Sequence, residues 1–174
     1  EVDAVIFDCD GILIDVRESC NKAISETVTY IIRQLTGLQL PKNLVSREII
    51  YLFKRSGGFN NDWDLAYAAL IFILSKLPKN FQEVLKRAID KSRSESDLLK
   101  YFLSVKESVR KECGSLIGLD EAIANAEEEL KKFAEACDPS GIASIEKTLQ
   151  NLQGFPKNSD EYYVALKDFL SYPG

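Results

Sequence analysis

Along most of the chain apolar residues recur every three or four positions, the period of an α-helix with one buried face. Val16, Cys20, Ile24, Val28, Ile31 and Leu35 form the first such stripe, and Gly37 stands where a left-handed C-terminal cap is expected. A shorter helix is predicted over Glu48 to Phe53, starting near Ser46. Asn60, Asn61 and Asp62 offer capping side chains for Trp63 to Leu77, a segment apolar nearly all round and stopped by Pro78, which predicts the buried centre of a bundle. Phe81, Val84, Leu85 and Ala88 mark a further helix ending at the polar break from Lys91 to Ser94. Ser94 and Asp97 then make a capping-box-like start before Leu98, Phe102, Val105 and Val109. After Gly118 one helix is predicted with Leu119, Ile123, Ala126, Leu130, Phe133 and Cys137 facing inward. Glu127 with Lys131 and Glu128 with Lys132 would form surface ion pairs on its outer face. Two last helices are predicted at about Gly141 to Leu152 and Asp160 to Leu170.

One segment departs from this period. Val2 to Phe7 is short, rich in β-branched residues and followed by a polar cluster containing Gly11, which predicts a buried strand. A lone strand leaves backbone donors and acceptors unpaired along both edges, and no second strand is found after it. The expectation is that something needed to complete this fold lies outside the chain.

Composition narrows the function. With 174 residues, 45% hydrophobic and 28% charged, the chain is long enough for one domain with a core, and disordered or fibrous classes are excluded. Asp and Glu outnumber Lys and Arg by 27 to 22, and the net charge of -5 repels a nucleic-acid backbone or an anionic membrane, so neither partner is expected. Histidine is absent, which removes Ser-His-Asp and Cys-His catalysis and any zinc site built on imidazole. Methionine is absent too, so the natural start is expected to lie upstream of Glu1. Cys9, Cys20, Cys113 and Cys137 form no C-x-x-C pair and are expected as free thiols, with a bridge between Cys113 and Cys137 left open. Neither a run of about 18 apolar residues nor a signal peptide is found, and the expected location is cytoplasmic.

The predicted strand runs into Asp8-Cys9-Asp10-Gly11-Ile12-Leu13-Ile14-Asp15. Two carboxylates one residue apart at the carboxyl end of a buried strand are costly unless a cation or hydrogen-bond donors compensate them, and that end of a strand is where ligands bind in open α/β sheets. Gly11 leaves backbone room beside the first carboxylate. A calcium loop of the EF-hand kind does not fit, because the glycine comes too early and no helix precedes it.

These residues resemble the first motif of the haloacid dehalogenase superfamily, an apolar strand followed by D-x-D-G-x-x-x-D. The match covers about fourteen residues, and only Ile12 departs from the residues common after the glycine. The resemblance implies an α/β fold, a Rossmann-like core with a helical cap inserted after the motif. It divides the chain into residues 1–16 (first core strand and nucleophile loop), 17–170 (helical cap) and 171–174 (a linker, Tyr172-Pro173-Gly174, returning to a core that is not present). It further implies a phosphatase in which Asp8 is the nucleophile, Asp10 is the general acid and base, and Mg2+ is held by Asp8 and the Asp10 backbone carbonyl. A carboxylate at position 10, rather than the Tyr of dehalogenases, points to phosphoryl transfer, and Asp15 is expected to be structural.

A second segment, Phe53 to Leu65, resembles the cap of one phosphatase-like subfamily. Arg55, Asn60, Asn61, Asp62 and Trp63 are its candidate specificity residues, on what reads as a mobile polar lip. The alternative is a plain helix-capping loop, with Asn61 or Asp62 as the cap and Trp63 as a core anchor. The partners implied are a small phosphorylated metabolite and a missing α/β core of roughly a hundred residues, supplied by another chain or lost. Two other functions stay open: a sugar-phosphate mutase of the same superfamily, and a non-catalytic helical interaction protein.

Overall fold

The computed structural model describes residues 3–7, 13–38, 40, 44–112, 118–152 and 160–171. Among these the fold is helical, with nine helices: α1 (Arg17–Thr36), α2 (Arg47–Arg55), α3 (Asp62–Lys76), α4 (Lys79–Ser92), α5 (Leu98–Glu112), α6 (Leu119–Ala124), α7 (Ala126–Ala136), α8 (Ile142–Asn151) and α9 (Glu161–Leu170). None of them is long and apolar enough to cross a membrane.

The bundle is organised around α3. Ten of its fifteen residues are buried, from Leu65 to Ser75, because its apolar positions run round the whole circumference and every face needs a neighbour. Helices α1, α7, α8 and α9 supply those faces. Phe72 stacks on Phe133 of α7 with centroids 4.7 Å apart, and Phe53 of α2 meets Phe133 edge-on at 6.0 Å. On the other side α4 packs on α5 and α9.

Pro78 stops α3 and leaves its last carbonyls without intrahelical partners. Side chains from two neighbouring helices satisfy them. The Tyr162 hydroxyl of α9 donates to the Leu74 carbonyl at 2.8 Å, and Gln82 Nε2 of α4 donates to the carbonyls of Ser75 and Leu77 at 2.9 and 2.7 Å. Both side chains are buried, and burial pushes the Tyr162 phenol well above its ordinary pKa, so it stays a donor.

The α/β expectation is overturned. The described residues contain no sheet and no Rossmann-like core; they form a helical bundle. The predicted strand is not one over its described part. Residues 3–7 are irregular, and Val5, Ile6 and Phe7 are 67%, 96% and 63% exposed. The reason is that no neighbouring strand lies among the described residues to pair its edges, so β-branched composition alone cannot hold it extended and buried.

Smaller corrections concern helix ends. The helix predicted after Gly118 breaks at Asn125 into α6 and α7, although its inward positions are all buried as expected. The cap of α5 is Asp97, whose carboxylate accepts from the Lys100 amide at 2.9 Å. Glu128 pairs with Lys132 at 2.8 Å, but Lys131 turns to Glu48 of α2 at 2.5 Å rather than to Glu127.

Candidate functional site

Asp8 and Asp10, the predicted nucleophile and acid–base, lie outside the described residues together with Cys9, Gly11 and Ile12. What can be followed is how the chain enters and leaves that loop. On its near side stand the exposed Val5, Ile6 and Phe7, and on its far side Leu13 and Ile14, also exposed. Asp15 and Arg17 then form a fork. Oδ1 accepts from the Arg17 amide at 3.1 Å and from Nε at 2.9 Å, while Oδ2 accepts from Nη2 at 2.7 Å. The hydrogen bonds from the guanidinium hold the Asp15 carboxyl at about 2, well below the usual range. Both Asp15 oxygens are therefore engaged by Arg17, the first residue of α1.

Magnesium asks for about six oxygen donors in a near-octahedral shell. Asp8 and the Asp10 carbonyl would contribute two, Asp15 is engaged by Arg17, and among the described residues no group of three or more Asp, Glu or Cys is placed to hold a metal ion. The described residues alone do not fit a complete magnesium site.

The second candidate lies where α2 turns into α3. Gly57 adopts φ +83°, and Gly58 presses against the turn ahead of α8. A Cβ on Gly58 would run into the Gly141 amide nitrogen, 2.7 Å from its Cα and 2.8 Å from the Asp138 carbonyl. Phe59, fully buried, inserts beneath and meets Phe53 at 5.0 Å. Gly58 is thus a close backbone-to-backbone contact between the α2–α3 turn and the turn ahead of α8.

The specificity candidates separate accordingly. Asn61 caps α3, its side chain accepting from the Trp63 amide at 3.0 Å. Asp62 pairs with Lys54 at 2.9 Å across the α2–α3 turn. Arg55 lies over the Tyr51 ring, 5.9 Å from its centroid, and Asn60 is exposed. Trp63 is not the core anchor of the alternative reading, since it is 79% exposed; Phe59 takes that place.

Trp63 borders a pocket of about 380 Å³ with Tyr67, Ile142, Glu146, Tyr163 and Lys167. Lys167 donates to Glu146, which raises the lysine's pKa and keeps it charged, and its Nζ sits 5.7 Å over the Tyr163 ring. The pocket's Trp63, Tyr67 and Ile142 lining can seat an apolar or flat group beside the Lys167–Glu146 pair.

Two features escaped sequence reasoning. The turn Asp138-Pro139-Ser140-Gly141, and the contact of Gly141 with the distant Gly58, were not read from the sequence, which placed Gly141 at a helix start. A groove between α1 and α2, with Ser25 and Thr29 on its wall, also went unread. Its only sequence signal is a pair of hydroxyls four residues apart beside the apolar stripe of α1. Cys137 is a free, buried thiol in this structure, pushed up to about 11 by burial, while Cys113 lies outside the described residues.

No family model, no curated protein and no solved structure matches the chain.

Proposed function

We propose that the chain carries the nucleophile loop of a magnesium-dependent phosphomonoester hydrolase of the haloacid dehalogenase type, together with a helical body beside it. One observation supports this reading most. Five apolar side chains flank the acidic loop, Val5, Ile6 and Phe7 before it and Leu13 and Ile14 after it, and all five stand exposed, while the first buried side chain of the helical core is Ile24. Burying such a side chain is worth roughly 1.5–3 kcal/mol. A segment that offers five of them around two carboxylates is built to be covered by a surface that also completes the site. We propose that this surface is a partner, or further chain, that supplies the phosphate-binding and remaining metal-binding groups.

In this mechanism an Asp8 oxygen attacks phosphorus as the bond to the leaving oxygen breaks, giving an aspartyl-phosphate, and Asp10 delivers its proton to that oxygen. Asp10 then takes a proton from water, whose attack releases inorganic phosphate and restores Asp8. Bound magnesium would offset phosphate charge so that an anionic nucleophile can approach. Asp15, locked to Arg17, fixes where the loop leaves for α1.

The test is phosphate release from p-nitrophenyl phosphate with Mg2+ by the protein translated from its natural reading frame. Asp10→Asn should lower turnover by about 10²–10⁴-fold and Asp8→Asn by at least as much. Turnover that survives Asp8→Asn refutes the nucleophile. Full turnover by these 174 residues alone refutes the need for a completing surface.

A further inference from the structure

Helix α5 has two apolar faces. Tyr101, Val105 and Val109 are buried in the bundle at helical spacing, while Leu98, Leu99 and Leu103 are 55%, 66% and 40% exposed. Beside them on α1, Tyr30 is 57% exposed. Leu98, Leu99 and Tyr30, with the partly buried Ile31 and Phe102, line a groove of about 870 Å³ between the two helices, and Leu103 continues the α5 row one turn beyond Leu99. Large apolar side chains gathered in water in this way mark a docking surface.

The charges around this face are sorted from end to end. The groove places Glu26 and Tyr30 of α1 beside Asp97 and Phe102 of α5, and further along Arg110 Nε donates to the Gln34 carbonyl at 3.2 Å, so the two helices run in the same direction. Glu26, Glu95 and Asp97 stand at the end nearest the start of α5, and Arg33, Lys106 and Arg110 at the other. Seven residues make about two helical turns, so Glu26 and Arg33 share one edge of α1, and Leu99 and Lys106 share one row of α5 with Arg110 a turn beyond. Lys100 and Glu107 lie about a quarter turn round from that row. Within the chain Glu26 is met by Lys22 only loosely, at 3.8 Å.

We propose that this face docks a second copy of the chain. A two-fold axis lying in the face at right angles to the helices, passing by Tyr30 and Phe102, lays α1 antiparallel on α1 of the second copy and α5 on its α5. The apolar centres then meet. Because the axis exchanges the two ends of the face, it also brings Glu26 to Arg33, and Glu95 to Arg110, of the second copy. The parallel arrangement would set acidic end on acidic end. An unrelated partner would need an apolar row of the same length with the charges in reverse order, and the chain's own face, turned about this axis, is that surface. From Leu98 to Arg110 the face runs about 18 Å, and two helices span about 20 Å, a footprint on the order of 400 Å² per copy. That is at the low end of specific interfaces, so the dimer is reversible, with a dissociation constant of about 10–100 μM. None of these residues belongs to the acidic loop, and the dimer does not rest on the phosphatase reading.

Sedimentation equilibrium of the full chain over about 1–500 μM tests it, and the expected result is a monomer–dimer equilibrium. Leu99→Glu, at an exposed position, should leave the far-UV circular dichroism unchanged and weaken association at least about tenfold. Glu26→Lys and Arg33→Glu should each weaken it about fivefold, since every contact occurs twice in a two-fold dimer, and the two together should restore it. Ile6→Ser with Phe7→Ser should leave association unchanged, which separates this face from the exposed N-terminal segment. A monomer throughout the range, association that survives Leu99→Glu or is lost with Ile6→Ser and Phe7→Ser, or a double charge variant no tighter than the single ones overturns the proposal. All of these are read from mass and not from turnover, so failure here and failure of Asp8 as nucleophile are separate outcomes.

Discussion

Replacing Gly58 by Ala tests the clamp that positions the α2–α3 turn. Gly58 does not lie in the left-handed region, so an added Cβ meets no backbone strain of its own. It meets atoms instead, and all of them are main chain: the Gly141 nitrogen, Gly141 Cα at 2.7 Å and the Asp138 carbonyl at 2.8 Å. Backbone cannot rotate aside as a flexible side chain can, so one loop must withdraw, loosening Phe59 from Phe53. Overpacking of this kind costs about 1–3 kcal/mol, and the fixed neighbours place this case at the upper end, about 3 kcal/mol. For a protein of this size that lowers Tm by roughly 6–12 °C. Gly57→Ala is the control. It has φ +83° and only Pro139 Cβ at 3.9 Å and Cγ at 4.0 Å nearby, so it carries conformational strain of about 1–2 kcal/mol without a clash. Gly37→Ala, at φ +77° with nothing within 4 Å, should match it. Thermal and urea unfolding followed by far-UV circular dichroism ranks the three. If Gly58→Ala loses no more stability than Gly57→Ala, the clamp is not there and the argument fails.

Phe59→Ala should cost about 3–5 kcal/mol, because its ring is fully buried against Phe53, whereas Trp63→Ala should stay within about 0.5 kcal/mol, as its ring is mostly in solvent; urea unfolding compares them directly. The Asp15 carboxyl should titrate by NMR at about 2 and return to the ordinary carboxylate range in Arg17→Gln. Its folded pKa is depressed, so the stabilisation from the fork is present above the unfolded value near 4 and is lost as pH falls from there through about 2; loss of order at the start of α1 near neutral pH would contradict it. Cys137, with its thiol pushed up to about 11, should resist iodoacetamide at pH 8 in the folded protein and react after denaturation, as read by peptide mass spectrometry; rapid native labelling would show that its burial is wrong.

How much was legible follows from what a period can carry. The apolar spacing of α1, the all-round apolarity of α3, the caps at Gly37 and Asn61 and the stop at Pro78 are local properties, and each stands where the spacing put it. Partners that act across the fold left no such trace. Gln82 reads as a surface residue on an amphipathic helix, yet it is buried because the carbonyls ending α3 need donors. Trp63 reads as a core residue because large aromatics usually are, yet Phe59 reached the core first and left Trp63 on the rim. Ser25 and Thr29 look like ordinary helical hydroxyls until their missing acceptors are seen.

The N-terminal segment shows the limit most clearly. Val5, Ile6 and Phe7 carry the composition of a buried strand, and that composition is a statement about what the segment would do if neighbours flanked it. Strand pairing is made with another segment, so a sequence can specify the demand without supplying the partner. The same reasoning that predicted the strand also identified its unpaired edges, and the structure resolves the conflict in favour of the edges: with no adjacent strand among the described residues, the three side chains are left exposed and irregular. Leu13 and Ile14 are exposed on the far side of the acidic loop as Val5, Ile6 and Phe7 are on the near side, and Asp15 bonds to Arg17 immediately after. Apolar side chains on both flanks of a carboxylate pair are what the proposed covering surface would bury.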